Sequence, residues 1–316
     1  MSETAAAAPS PSKRSAVARA IDSDLFYSFR RSPITILSAV VACALVLSAV
    51  FAPLIAPHNP FDPASLSIMD SFIPPVWETD GDPSFLLGTD DQGRDMLSAI
   101  LYGMRISLAV GVASVALAMV IGVTLGLLAG YYRGIVDTII MRIADVQLTF
   151  PAILTALLID GVARAIAGPR AYDEIVFFVL ILAIGLSFWV QYARTVRGSV
   201  LVEVNKEYVM AARLIGLRSG TIMFRHVLPN VLGPVLVIAT INLALAIITE
   251  ATLSFLGVGV PPTEPSLGTL IRIGNDYLFS GEWWITIFPG IVLAILALAV
   301  NLLGDWLRDA LNPKLR

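Results

Sequence analysis

The 316-residue sequence predicts an all-α integral membrane protein with six transmembrane helices, and three observations support that reading. Hydrophobic residues make up 57% of the chain and charged residues 14%, where ordinary soluble domains carry about 25% charged. The apolar residues gather into runs close to the roughly 20 residues that a helix needs to cross hydrocarbon. The basic residues concentrate in alternate connecting segments, as a fixed orientation in a bilayer requires.

Residues 1–33 form an Ala/Pro/Ser-rich tail with scattered basic residues, expected to lie in the cytoplasm. Ile34 to Ala56 carries no charge and follows Arg30 and Arg31. Prolines, not a small-residue cleavage site, close it, so it reads as an uncleaved first span. Residues 57–105 form an external acidic segment, in which His58 to Arg105 holds eight Asp/Glu against Arg94 and Arg105. The remaining spans are Ile106–Ala129, Ile139–Ile159, Ile175–Tyr192, Val231 to about Leu256, and Ile285–Leu303. The third is the weakest, because Arg142, Asp145, Gln147 and Pro151 interrupt it. These five spans make a core over residues 106–304 with a cytoplasmic loop at 194–230, and residues 305–316 form a cytoplasmic tail. On this plan 16 Lys/Arg lie inside and 5 outside, which places both termini in the cytoplasm.

Several function classes are excluded. No G-x-x-x-x-G-K-[ST] sequence occurs, and none of the three lysines, Lys13, Lys206 and Lys314, follows a glycine-rich loop. His58 and His226 stand apart, so no metal-ligand spacing exists, and no G-x-S-x-G elbow is present. Cys43 is single and lies in an apolar run. The basic residues track topology and form no nucleic-acid-binding face. The chain is therefore expected not to be an enzyme, to bind no metal or nucleic acid, and to have membrane lipid as its surroundings.

Within the spans, Glu250 near the outer end of the fifth is a candidate for the translocation path, although a structural hydrogen bond explains it equally simply. Asp145 is expected to pair with Arg142 at i,i+3. Gly122, Gly126 and Gly130 form a small-residue stripe, expected to pack on span five or on a partner subunit. Trp283 and Trp284 read as interfacial anchors. The acids of "GTDDQGRD" read as turn structure held by an arginine.

The loop "EYVMAARLIGLRSGTIMFRHVLPN", Glu207 to Asn230, is polar and helically patterned. As a helix from Glu203 to Ile215 it places Tyr208, Ala211, Ala212 and Ile215 on one face. Gly216 suits a left-handed stop, and Ser219 a cap for a second short helix ending at Pro229. The Ala211-Ala212 pair permits close approach of another surface, with Glu207 and Arg213 at its edge. By pattern alone, that surface is either lipid headgroups or a cytoplasmic protein.

The same loop resembles the E-A-A…G…L-P segment of permease subunits of binding-protein-dependent ABC importers. Glu207, Ala211-Ala212, Gly216 and Leu228-Pro229 occupy the pattern, with Tyr208-Val209-Met210 intervening after the glutamate. "FLLGTDDQGRDMLSAILYGMRISLAVG" (Phe85 to Gly111), "EATLSFLGVGVPPTEPSLGTLI" (Glu250 to Ile271) and the closing "GDWLRDALNPKLR" are similar to dipeptide and oligopeptide permeases, nearest to the C-type subunit. The resemblance spans all but the first ~25 residues.

The resemblance implies a type I ABC importer fold, with core spans two to six and an extra N-terminal span, in a bacterial inner membrane. The partners it implies are a homologous second permease subunit, two cytoplasmic ABC ATPases carrying the ATP and Mg, and an external solute-binding protein that delivers dipeptides or oligopeptides. Nickel or other small solutes are the alternative cargo within the family, and a secondary transporter is the alternative class. Glu207, Tyr208, Ala211, Ala212, Arg213, Gly216, Leu228 and Pro229 are then the ATPase-coupling residues.

Overall fold

The computed structural model describes residues 29–62 and 66–310. Most of the expected N-terminal tail and the closing "NPKLR" lie outside the described residues. Helix α1 (Pro33–Val50) starts where the Ser32 hydroxyl accepts from the Thr35 amide and Pro33 presets the first helical φ. An extended external segment follows. Then come α2 (Met96–Tyr132), α3 (Gly134–Leu148), α4 (Ala152–Ala167), α5 (Ala171–Glu203), α6 (Glu207–Leu214), α7 (Ser219–Phe255), α8 (Leu267–Tyr277) and α9 (Trp284–Ala310). Helices α1, α2, α5, α7 and α9 are each long and apolar enough to cross a bilayer, and the bent pair α3–α4 supplies a sixth crossing if taken as one.

Helix α2 begins ten residues before the apolar run expected for span two. Asp95 caps it, its carboxylate accepting from the Ser98 amide at 2.9 Å and the Ser98 hydroxyl at 2.5 Å. A helix of 37 residues measures about 55 Å, well beyond the roughly 30 Å of hydrocarbon, so it stands out of the membrane.

The glycine stripe on α2 packs against α5, the fourth crossing, and not against the fifth. A Cβ at Gly126 would sit 2.5 Å from the Ala193 carbonyl oxygen, and one at Gly130 2.7 Å from Val200 Cβ. Residue numbers on both helices rise together along this contact, so α2 and α5 run parallel. The chain between them must therefore return across the membrane, and α3 and α4 do so with a 94° bend at residues 149–151.

That bend breaks the third expected span. Pro151 has no amide to continue the ladder of α3, and the backbone restarts as α4 behind it. Side chains replace the missing continuity. Gln147 donates to the Leu186 carbonyl and accepts from Trp189 Nε1 at 2.6 Å, both on α5. Asp145 pairs with Arg194 of α5 at 2.6 Å, not with Arg142, because the facing helix brings a guanidinium closer than its own turn does. Asp137 pairs with Arg197 in the same way.

The external segment is locked down by one arginine. Arg94, only 1% exposed, binds Asp90 at 2.6 Å through Nε and donates to the Pro262 carbonyl at 2.6 Å through Nη1. Asp90 also accepts from the amides of Gln92 and Arg94, each at 2.9 Å, so "GTDDQGRD" is the arginine-held turn its composition suggested. Trp284 is no interfacial anchor. It is buried, donating to the Thr89 carbonyl at 3.0 Å, while Trp283 reaches Glu78 at 3.2 Å. The aromatic pair clamps the external segment onto α9 instead of facing lipid.

Two tests follow from this packing. Gly126→Ala should cost about 1–3 kcal/mol in the unfolding of the purified protein, because the α2–α5 contact has no room for a methyl. Gly198→Ala, where nothing lies within 4 Å, should leave the melting temperature within a degree or two of wild type, about the effect of a neutral surface change. The second concerns Asp91 in the external segment, whose carboxyl is raised above the usual range by burial and by the nearby Asp90 and Asp276 charges, with Arg94 opposing. A raised folded-state value means that the ionised carboxylate costs stability above it, and that the cost disappears as pH falls below the ordinary carboxylate range. Asp91→Asn should therefore raise the melting temperature at pH 7, with the gain shrinking as the pH approaches about 4, where an ordinary carboxylate titrates.

Candidate coupling site

At the end of the bundle away from the acidic segment, α5 stops at Glu203 and three residues lead into α6. The expected helix from Glu203 to Ile215 is therefore split. Lys206 turns back at 2.8 Å onto Glu203, and a new helix starts at Glu207. Glu207 in its first turn and Arg213 in its last complement the helix dipole. Its end is a Schellman cap: the Gly216 amide donates to the Arg213 carbonyl at 3.0 Å and the Leu217 amide to the Ala212 carbonyl at 3.1 Å. Gly216 has φ +77, the left-handed value its place in the sequence suggested.

The face expected to be presented as one is divided. Ala212 is buried with Val209, both packed into the main core with Ile222 and Met223, so Ala212 serves the fold of the loop. Ala211 points outward beside Met210, Leu214 and Ile215; Leu214 is 88% and Ile215 75% exposed. The outward apolar group was legible only in part, because helical spacing fixes which residues share a face but not which face is covered. Glu207, Arg213, Gly216 and Pro229 are exposed, and Leu228 is half-buried.

Ser219 begins a helix but does not cap it; Arg218 holds the cap position. The helix also does not end at Pro229. A π turn over Ile222–Val227 lets the Leu228 amide reach back five residues to the Met223 carbonyl, and the widened register accommodates the proline. The loop therefore passes without interruption into α7.

Tyr208 sits at the meeting point of three elements. Its hydroxyl donates to Glu203 Oε1 at 2.6 Å and accepts from Asn230 Nδ2 at 2.9 Å, while Asn230 also donates to the His226 carbonyl at 3.0 Å. Burial and the Glu203 carboxylate raise the phenol's pKa, so it remains a donor at neutral pH. The Arg213 guanidinium lies 5.2 Å over the Tyr131 ring at the end of α2. Glu203 and Asn230 were not singled out by sequence reasoning, and the only signal for them is three-dimensional. Five residues and a break separate Glu203 from Tyr208, and no helical period links them.

Glu250 lies far from this loop, in the half of α7 nearer the acidic segment, and is fully buried. Its Oε1 accepts from the Ser254 hydroxyl at 2.8 Å, with the hydroxyls of Ser107 on α2 and Ser266 at the start of α8 beside it. Gly103 and Gly268 bring the helices close here; a Cβ on Gly268 would lie 2.6 Å from Ala251 Cα. The carboxyl thus faces a joint between α2, α7 and α8 within the chain.

Residues 122–316 match the family model described as the binding-protein-dependent transport system inner membrane component, and residues 23–75 match that of the N-terminal transmembrane domain of oligopeptide transport permease C. The chain is 40% identical over 273 residues to the di/tripeptide transport system permease protein DppC of Pseudomonas aeruginosa, covering 86% of this chain and 85% of that one. It is 37% identical to the dipeptide transport system permease protein of Haemophilus influenzae, covering 93% and 95%. To the same-named protein of Escherichia coli it is 40% identical, covering 93% of each. A solved structure of the MetNI methionine ABC transporter in an inward-facing conformation has the same fold, with TM-score 0.53 and 21% identity over 69% of this chain and 98% of that one.

The enclosed setting of Glu250 distinguishes its two readings. Glu250→Ala should lower stability by about 1–3 kcal/mol by leaving buried hydroxyls without their acceptor. Uptake by the surviving folded protein, normalised to its amount, should match wild type. A normal melting temperature with lost uptake would instead assign the carboxylate to the path.

Proposed function

This chain belongs to the family of binding-protein-dependent transport system inner membrane components, and from that premise we propose that it is one permease half of an ATP-driven importer of dipeptides or short oligopeptides. The relatives named for dipeptide and di/tripeptide transport support the peptide cargo, since 37–40% identity runs over 85% or more of their length. The other half is a homologous permease subunit. An external solute-binding protein delivers the peptide on the side of residues 57–105. Two ABC ATPases bind on the side of α6, with both termini, and they carry the ATP and Mg, because this chain has no P-loop.

The observation that carries the coupling role is the outward apolar group on α6. Met210, Leu214 and Ile215 stand exposed on a segment outside the spans, with charged Glu207 and Arg213 around them. An apolar patch rimmed by charge and projecting beyond the membrane end of a bundle is suited to a protein partner. As the ATPases close on ATP, α6 is displaced, and the bundle moves between inward- and outward-open packings favoured by different partner contacts. The permease performs no covalent chemistry. It holds the peptide route and changes which side that route opens to.

Leu214→Asp should weaken binding of the ATPase subunits by at least about 30-fold, the scale of a buried anchor worth 2 kcal/mol. Ala211→Asp should act in the same direction. Ala212→Asp should instead reduce the yield of folded protein, since a carboxylate there has no water to face. Pull-down of the ATPases by the purified permease pair measures the first two, and thermal unfolding the third. Unchanged ATPase capture by Leu214→Asp would remove α6 as the docking element.

A further inference from the structure

We propose that Tyr208 is a positioning residue of the coupling site, a hydrogen-bonded hub that joins α6 to the end of α5 and to the first third of α7 so that one displacement of α6 moves both spans together. The inference rests on the reading of α6 as the ATPase-docking helix, and it assigns Tyr208 to the inner, transmitting side of that helix and not to its contact face.

The geometry is a continuous polar chain. Asn230, in the first third of α7, donates to the Tyr208 hydroxyl at 2.9 Å, and that hydroxyl donates to Glu203, the last residue of α5, at 2.6 Å. The other Glu203 oxygen takes Lys206 Nζ at 2.8 Å, and the carboxyl is only 9% exposed. Asn230 uses the same amide group on the His226 carbonyl at 3.0 Å, which fixes its orientation. Donors and acceptors alternate along the chain, so each bond polarises the next, and loss of one member weakens the rest.

A rigid joint is needed here because α6 is only eight residues long and the helix breaks at both of its ends. Residues 204–206 connect it to α5 and residues 215–218 to α7, the latter through the left-handed Gly216. A helix this short, joined at each end by a few non-helical residues, would otherwise absorb a push by rotating. Val209 and Ala212 anchor its inner face by packing alone, and apolar packing permits sliding; directional hydrogen bonds to two different helices oppose it. Arg213 over Tyr131 adds a third tie, to α2. Tyr208 is itself 36% exposed, so its ring adds little to the core and its hydroxyl is the informative group.

The test uses the complete importer, with both permease subunits, the ATPases and the solute-binding protein, reconstituted in lipid vesicles and supplied with labelled dipeptide. Tyr208→Phe keeps the ring and removes the hub. Its complex should co-purify with the ATPases and melt close to wild type, while dipeptide moved per ATP hydrolysed falls about fivefold, the scale of one net hydrogen bond. Glu203→Gln should lower the same ratio, and the double variant should be no worse than the single ones. A wild-type transport-to-hydrolysis ratio in Tyr208→Phe overturns the inference, as does additive loss in the double variant. Loss of ATPase capture by Tyr208→Phe also overturns it, since that places Tyr208 in the contact face. In all three cases a capture defect in Leu214→Asp leaves the docking role of α6 standing, so the two readings fail separately.

Discussion

The parallel contact between α2 and α5 is the constraint on which the rest of the bundle depends. Inside lipid no hydrophobic force draws two apolar helices together, so association relies on close packing, and glycine at every fourth position of α2 lets the backbones meet. Once two spans run parallel at that distance, the chain between them has to cross back in the space left along their flank. That space takes a bent pair, not a straight helix. The polar and ionic residues of α3, which look misplaced in a membrane span, are the groups that fasten the bent pair to α5 through Gln147, Asp145 and Asp137. Polar groups at membrane depth are tolerated where protein satisfies them.

The two ends of the bundle are built differently. At the end that carries the acidic segment, Arg94 ties that segment to the α7–α8 connection, Trp284 is inserted under Thr89, and Glu250 lies between three helices. These contacts are buried, and exposing any of them incurs the desolvation penalty of an orphaned polar group. At the opposite end, α6 is held by two small buried side chains and a polar chain near solvent, where water offers alternative partners. Opening there costs less. The bundle thus has a firmly held end at the acidic segment and a more loosely held one at α6.

Much of this was legible in the sequence, for reasons that follow residue by residue. Membrane spans are read from composition because lipid permits little else, and the end of α6 was read at Gly216 because only glycine takes a left-handed residue cheaply. The "GTDDQGRD" turn was legible because its contacts are mostly local. What stayed hidden depends on a neighbour remote in sequence. Asp145 was assigned to Arg142 in its own turn, but Arg194 lies closer across the helix contact. Trp284 looked like an anchor because its type favours interfaces, but the external segment folds over it. Pro229 looked like a stop because proline usually is one, yet a π turn carries the helix through. Helix α8 was not anticipated at all, since eleven residues between two spans give no membrane signal.

The adjacent alanines of the coupling loop show why a motif needs a structure before its residues receive roles. Both fit the family pattern, and both are small, which suggests a single purpose of letting a partner come near. The helix separates them by 100°, and the core decides the rest: Ala212 is enclosed with Val209, Ile222 and Met223, and Ala211 is left outside with Met210. Smallness at Ala212 serves the chain's own packing, because the first turn of α7 passes against it. Smallness at Ala211 serves whatever docks. The loop's inward alanine seats it on the spans, and its outward alanine is left exposed. Between them, the polar chain through Tyr208 links α6 to Glu203 of α5 and Asn230 of α7.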